Sequence, residues 1–425
     1  MKKIKEMLKL IAGRGGIIVF FVMAFEVMIM ISPFAFFFYS VFNPIFKWLD
    51  QYMATSWLTS FFLPHMIMPP TLFLKTIRVL GSVFFILGSF TFIICALQVY
   101  LGKIFKWGVA DKGLYKYIRH PQYLALGIWG IGMSILWPRF IVLVSLSVMF
   151  ILYIFLAKDE ERRMLKSYKE TYKNYMSKTG MFFPKAMEKN LSFIKQIIPE
   201  SPIKYPVISA LIVILVVGAG FALREITLHS LYFETKNNIS LLSMLPEDSR
   251  LEAVAIDGII KAQRLGKLDM LDASKNYLGY LMPGDYVMQG MIANTGGQFH
   301  LFKQHHTVMM ITEWVMHPFG HLRSSPTLHM AKMHGVDPAM ARRHHCPLGI
   351  NDPSMDCKTC PYRRVIIDEV SAKPGTLLSG KELLSFDTTR VPVVFIDINT
   401  KTGEIVNAKK VEKATAWADV PTPAI

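Results

Sequence analysis

Cysteine is scarce in this chain, with four in 425 residues, too few for a scaffold stapled by disulfides. No Cys-x-x-Cys-His occurs, because Pro361 and Tyr362 follow Cys360, and this argues against covalent c-type haem. There is no internal repeat and no low-complexity tract, so a solenoid or a disordered tail is not the organising principle. Acidic residues are lacking in one half only. Before residue 224 there are 10 Asp and Glu against 25 Lys and Arg, and from 224 onward 21 against 22. The net charge of +16 therefore belongs to the first half. Basic residues interleaved with apolar runs mark loops on one side of a membrane rather than a nucleic-acid surface, so no nucleic-acid partner is expected.

What is present in that half is long hydrophobic sequence. A helix needs about 20 apolar residues to cross the hydrocarbon core, and five candidates stand out. They are Ile17–Tyr39, Val79–Leu101, the close pair Tyr123–Trp137 and Phe140–Ala157 joined only by Pro138 and Arg139, and Pro206–Leu223. The third is short and reads as half of a helical hairpin. Residues Trp57–Phe73 are apolar too, but Pro64, Pro69 and Pro70 interrupt them, which predicts a re-entrant or interfacial segment. The first run exceeds 20 residues, contains Glu26 and has no obvious small-residue cleavage site, so it reads as an uncleaved anchor.

The basic start, the loop 102–121 and the segment 158–204 fall on one side under a five-span reading. The positive-inside rule makes that side, and the amino terminus, cytoplasmic, and places the chain from Arg224 outside the cytoplasm. The expected architecture is an α-helical integral membrane protein of about five transmembrane helices with a C-terminal α+β domain. Its parts are a membrane domain over 1–204 with four spans and a cytoplasmic amphipathic helix, a fifth span over 205–223, and a globular domain over 224–425.

Two polar clusters bracket the hairpin. "GLYKYIRHPQY" precedes it, with Gly113, Tyr115, Arg119, His120, Pro121 and Tyr123, and "DEERRMLKSYKETYKNYM" follows it, with Glu160 and Glu161. Taken alone, these are equally well interfacial charges and acidic residues suited to a helix start. After the Glu pair, Leu165, Tyr168, Tyr172 and Tyr175 recur at three and four, one apolar-aromatic stripe whose main role reads as packing and whose sharper role is a lid.

The two clusters, with Pro184 closing the second, resemble the membrane methyltransferase family that includes isoprenylcysteine carboxyl methyltransferase and the phospholipid methyltransferases. The resemblance runs over about residues 113–184. Two positions depart from it: Ala125 and Lys169 stand where the family usually has glycine, with Gly127 close enough to compensate for the first. The resemblance implies S-adenosylmethionine as cofactor and a methyl transfer to a lipid or other amphiphile. It assigns Tyr115, Arg119, His120, Pro121, Tyr123, Glu160 and Glu161 to the cofactor. In-line transfer relies on orientation, and a carboxylate acceptor needs no base. An amine acceptor does, and His120 or Glu161 is the candidate.

Beyond 223, Leu251–Leu278 reads as helical, and Val391–Val411 as a β-hairpin turning at Thr402 and Gly403. Nine of the twelve histidines lie between His300 and His345. Cys346, Cys357 and Cys360 follow, a Cys-x2-Cys turn with a third thiol upstream. With His345 or His344 they fit a tetrahedral zinc site, with an iron–sulfur cluster or copper as lesser alternatives. A disulfide with a spare thiol, or unpaired cysteines, are the other readings. Two function classes follow: a membrane methyltransferase with an appended metal-binding domain, or a membrane-anchored metal or electron-transfer protein on a degenerate scaffold. The tail after Ala414 reads as loose.

Overall fold

The computed structural model describes residues 24–25, 28–34, 37, 48–49, 52–64, 67, 69–105, 107–190, 204–283, 361–371 and 377–411. These form two compact units. One holds the described residues up to 44 with 80–137 and 141–220, the other those of 45–79, 138–140 and 221 onward.

Three helices are long and apolar enough to cross a membrane: α2 (Leu72–Ile104), α4 (Phe140–Lys178) and α6, helical over Lys204–Ser230. The shorter α3 (Pro121–Leu136) has 16 residues, about 24 Å at 1.5 Å per residue, less than the hydrocarbon thickness. Described residues between 24 and 37 are helical, while the rest of the expected first span lies outside the described residues. The hairpin of α3 and α4 forms where the sequence placed it. Its second helix does not stop at Ala157, however, but continues to Lys178, because the polar stretch after the span is itself helix-forming.

In the first unit α2 and α3 meet backbone to backbone. A Cβ at Gly88 would lie 2.4 Å from the Trp129 amide nitrogen, and one at Gly132 would lie 2.4 Å from that of Phe85. Small residues permit such approach between apolar helices, where no hydrophobic drive separates partner from lipid. Gly127 is taken up by the Phe150 ring, 2.5 Å from where its Cβ would be. It therefore serves helix packing.

In the second unit the apolar stretch from Trp57 contains no long helix among its described residues. Only α1 (Met53–Thr59) is helical, and Phe61 then bridges to Arg139. The Arg139 guanidinium stacks 4.2 Å from the Phe61 ring centre and donates to the Thr59 carbonyl. Buried Arg224 donates to the carbonyls of Phe61 and Leu384.

The same unit carries a six-stranded sheet in chain order: β1 (Glu234–Lys236), β2 (Ile239–Ser243), β3 (Asn276–Pro283), β4 (Tyr362–Ser371), β5 (Thr389–Asn399) and β6 (Glu404–Lys410). All neighbours are antiparallel except β2 and β3, which the crossover helix α7 (Glu252–Arg264) joins in parallel. Sequence periodicity over Leu251–Leu278 suggested one helix. The structure ends it at Arg264 and makes 276–283 a central strand, because Leu278, Tyr280 and Met282 face one core and Tyr277 and Leu281 the other. Burial on both faces removes the alternation that would have betrayed a strand. The β5–β6 hairpin turns at Gly403, whose φ of 71° suits glycine. Its carbonyl lies 2.1 Å from where a Cβ on Gly258 of α7 would be.

The stretch carrying Cys346, Cys357, Cys360, His344 and His345 lies outside the described residues, as does the tail after Ala414. Its flanks are register partners, Pro283 of β3 pairing with Arg363 of β4. Bidentate pairs of Arg363 with Asp248 and of Arg364 with Asp397 fix the start of β4. Among the described residues no three His, Cys, Asp or Glu side chains converge to hold a metal ion.

Candidate functional site

The two polar clusters meet. A 3-10 turn (Gly113–Lys116) leads to His120, which caps α3, with Pro121 at the first helical position, where its missing N–H costs nothing. Gly113 adopts φ 61°. On the opposite side α4 presents Glu160 and Glu161.

His120 is 2% exposed and lies between the two carboxylates. Its Nε2 is 3.3 Å from Glu161 Oε1 and its Nδ1 is 3.5 Å from Glu160 Oε2, a distance without hydrogen-bond geometry. Burial works against the charged imidazole, but the hydrogen bond to Glu161 and the charges of both Glu160 and Glu161 outweigh it and raise the His120 pKa above its ordinary value. The ring stacks on Tyr123 at 5.6 Å, and Tyr123 stacks on Tyr153 at 4.9 Å.

Arg119 is a clamp. Its Nε donates to Glu161 Oε1 at 2.5 Å, and its Nη1 donates to the carbonyls of Thr179 and Met176. Its backbone amide donates to the Gly180 carbonyl at 2.8 Å, and that of His120 to the Met181 carbonyl at 3.1 Å. The Tyr175 hydroxyl donates to the Tyr115 carbonyl at 2.6 Å. The Tyr115 hydroxyl is itself committed, 2.9 Å from Gln122 Oε1. Tyr115, Arg119 and Glu161 therefore hold the frame together, while the side chain of Glu160 keeps 33% of its surface exposed.

The stripe read from the sequence is split. Tyr172 is buried and Tyr175 half-buried, but Leu165 and Tyr168 are exposed, because α4 bends at Lys169, where φ is 41° and ψ −118°. Pro184 opens the short helix α5 (Lys185–Asn190). Sequence reasoning passed over Gln122, which anchors Tyr115, and Tyr153, a buried tyrosine inside an apolar run. It also passed over Glu188, whose Oε1 accepts from the amides of Met181 and Phe182 at 2.6 and 3.1 Å. The polarity of Tyr153 within a span was the available signal.

S-adenosylmethionine, implied by the sequence resemblance, offers an ammonium, a carboxylate, a sulfonium and an adenine. The residues present fit such a group: a half-buried carboxylate at Glu160, aromatic walls at Tyr123 and Tyr153, and a buried His120 Nδ1 that lacks a hydrogen-bond partner among the described residues.

Residues 72–171 match the phospholipid methyltransferase family, which bears out the resemblance over the first polar cluster, the hairpin and the Glu160–Glu161 pair, while Tyr172, Tyr175 and Pro184 lie beyond the match. No curated protein and no solved structure matches the chain.

Proposed function

We propose that this protein is an integral membrane methyltransferase that uses S-adenosylmethionine and acts on a lipidic or amphiphilic acceptor. The observation that carries the reading is the buried His120 set between Glu160 and Glu161 at the ends of two apolar helices, within the stretch that matches the family. When bound, S-adenosylmethionine supplies an electrophilic methyl group. Glu160 holds its ammonium, Tyr123 and His120 contact it, and Pro121 fixes the turn. Arg119, Glu161 and Tyr115 keep these groups in place, since orientation supplies much of the rate of an in-line transfer. If the acceptor is an amine, His120 or Glu161 is the candidate base. The basic side of the membrane half is read as cytoplasmic and the domain after 224 as extracytoplasmic. Impermeant-thiol labelling of cysteines placed at Lys112, Lys178 and Lys236 decides the sidedness.

Calorimetric titration of S-adenosylmethionine into the purified chain tests the reading. Wild type binds, whereas His120→Ala, and Glu160→Gln with Glu161→Gln, lose binding while still inserting into the membrane. Wild type that fails to bind, or variants that bind as well as wild type, would end the proposal.

A further inference from the structure

Trp107 is 64% exposed and yet held in place. Its amide donates to the Gly102 carbonyl at 2.9 Å, its ring edge lies 3.7 Å from where a Cβ on Gly102 would be, and it stacks on Phe105 with centres 5.6 Å and planes 19° apart. A fixed aromatic pair with an open face calls for something to cover it. The 3-10 turn that follows in the same loop repeats the pattern. Leu114 and Tyr117, three apart, are exposed, whereas Tyr115 and Ile118 are buried.

Helix α2 indicates the occupant. Val83, Leu87, Phe90, Ile94, Leu97 and Leu101 are exposed and recur at four and three, so one face of the helix is apolar along its length. No residue between Arg78 and Lys103 is charged. From Val83 to Leu101 the stripe is about 27 Å long at about 1.5 Å per residue, close to the hydrocarbon thickness of about 30 Å. Phe105 continues it by one turn, its amide donating to the Leu101 carbonyl at 2.9 Å. The stacked pair follows directly on a face that matches the hydrocarbon core, the place where amphipathic aromatic rings gather in membrane proteins.

We propose that Phe105 and Trp107, with Leu114 and Tyr117, lie among the lipid headgroups and anchor the loop between α2 and α3 to the bilayer surface. Gln98 of α2 ties the loop down through the Lys112 carbonyl at 2.9 Å. Arg119 and His120 follow directly, so an anchored loop keeps the Arg-His-Pro turn at headgroup level. The consequence for the acceptor rests on the methyltransferase reading: the methylated atom lies among the headgroups rather than along an acyl chain.

The test uses the full chain in phosphatidylcholine nanodiscs. Because the chain holds seven tryptophans, the emission of Trp107 is read as the difference between wild type and Trp107→Phe. Lipid brominated near the glycerol end of its acyl chains quenches most of that emission, lipid brominated near the bilayer centre quenches less, and aqueous iodide does not quench it. Hydroxyl-radical footprinting of wild type needs no substitution. Corrected for intrinsic reactivity, Trp107 and Phe105 are protected in nanodiscs, while exposed Leu265, just past α7, is oxidised. Quenching of Trp107 by iodide, or oxidation equal to that of Leu265, would put the loop in water and overturn the proposal. Insensitivity to both bromolipid and iodide would mean that protein covers the pair, as in contact with a second copy, and would equally overturn it. Neither readout involves S-adenosylmethionine, so a chain that fails to bind the cofactor ends the methyltransferase reading and leaves the anchoring standing.

Discussion

Asp368 provides the sharpest test of how the sheet domain is balanced. It lies on β4, fully buried, and neither carboxylate oxygen has a hydrogen-bond partner among the described residues. Its ladder partner on β5 is Pro392, which has no N–H to offer, and the register shifts between Ile367 and Asp368. Desolvation pushes its carboxyl up to about 8, with the Arg390 charge pulling weakly the other way. The folded chain then keeps a proton that the unfolded chain releases near pH 4. Between about pH 4 and pH 8 the native state binds more protons, so stability falls as pH rises, by about 1.4 kcal/mol per unit. Across the window this approaches ~5 kcal/mol, comparable to the whole stability of many domains. Asp368→Asn removes the titration while leaving a polar group of the same shape. Hydrogen exchange of the β4 and β5 amides in the full chain, corrected for intrinsic rates, reads the opening free energy. Wild type should lose protection steadily from pH 5 to pH 8, and the variant should gain on it by about 4 kcal/mol over that interval. Parallel pH profiles for the two proteins would refute the reasoning.

Three further outcomes follow from single contacts. Lys169 holds a backbone conformation natural to glycine, at a cost of about 1–3 kcal/mol. Lys169→Gly should therefore raise the thermal midpoint in detergent, net of the extra entropy glycine loses, while Lys169→Ala should not; a lower midpoint for the glycine variant contradicts the strain. Gly88→Ala places a Cβ against the Trp129 backbone, which cannot give way, and should cost about 1–3 kcal/mol; unchanged stability would mean that α2 and α3 do not touch as described. For the cysteines, elemental analysis of the full chain purified without chelator should find zinc, released on acidification as Cys346, Cys357 and Cys360 take up protons. A metal-free folded protein with one free thiol would instead establish a disulfide.

Much of the membrane half was legible because its signals are local. Apolar length gave three of the five expected spans as long helices, Pro138 with Arg139 gave the hairpin turn, and the Arg-His-Pro and Glu-Glu clusters are the groups that the fold brings together. The sheet was harder. A central strand buried on both faces shows no polar–apolar alternation, so residues 276–278 passed as the end of the helix expected over Leu251–Leu278. The β5–β6 hairpin was readable because Thr402 and Gly403 mark its turn and one strand faces solvent. The prolines of Trp57–Phe73 marked it as re-entrant or interfacial, but the two arginines whose side chains reach it, Arg139 and Arg224, are 85 residues apart in sequence and could not be paired in advance.

Residue identity also conceals how each group spends its hydrogen bonds. Arg119, Tyr115 and Glu161 look like ligand-binding groups in sequence, and in the fold they bind one another, Gln122 and the carbonyls of Met176 and Thr179. The same holds for the two departures from the family pattern. Ala125 presents its carbonyl to Gly88 of α2, 2.8 Å from where a Cβ would be, so its role is bound up with helix packing. Lys169 is different: the backbone there takes the conformation a glycine would favour although the side chain is lysine. A bend kept at that cost has to be required by what it positions, and what lies beyond it is the limb whose Tyr175, Met176, Thr179 and Gly180 tie down the Arg-His-Pro turn. Straightening α4 through Lys169 would carry that limb away from Arg119 and leave His120 with only its two carboxylates to hold it.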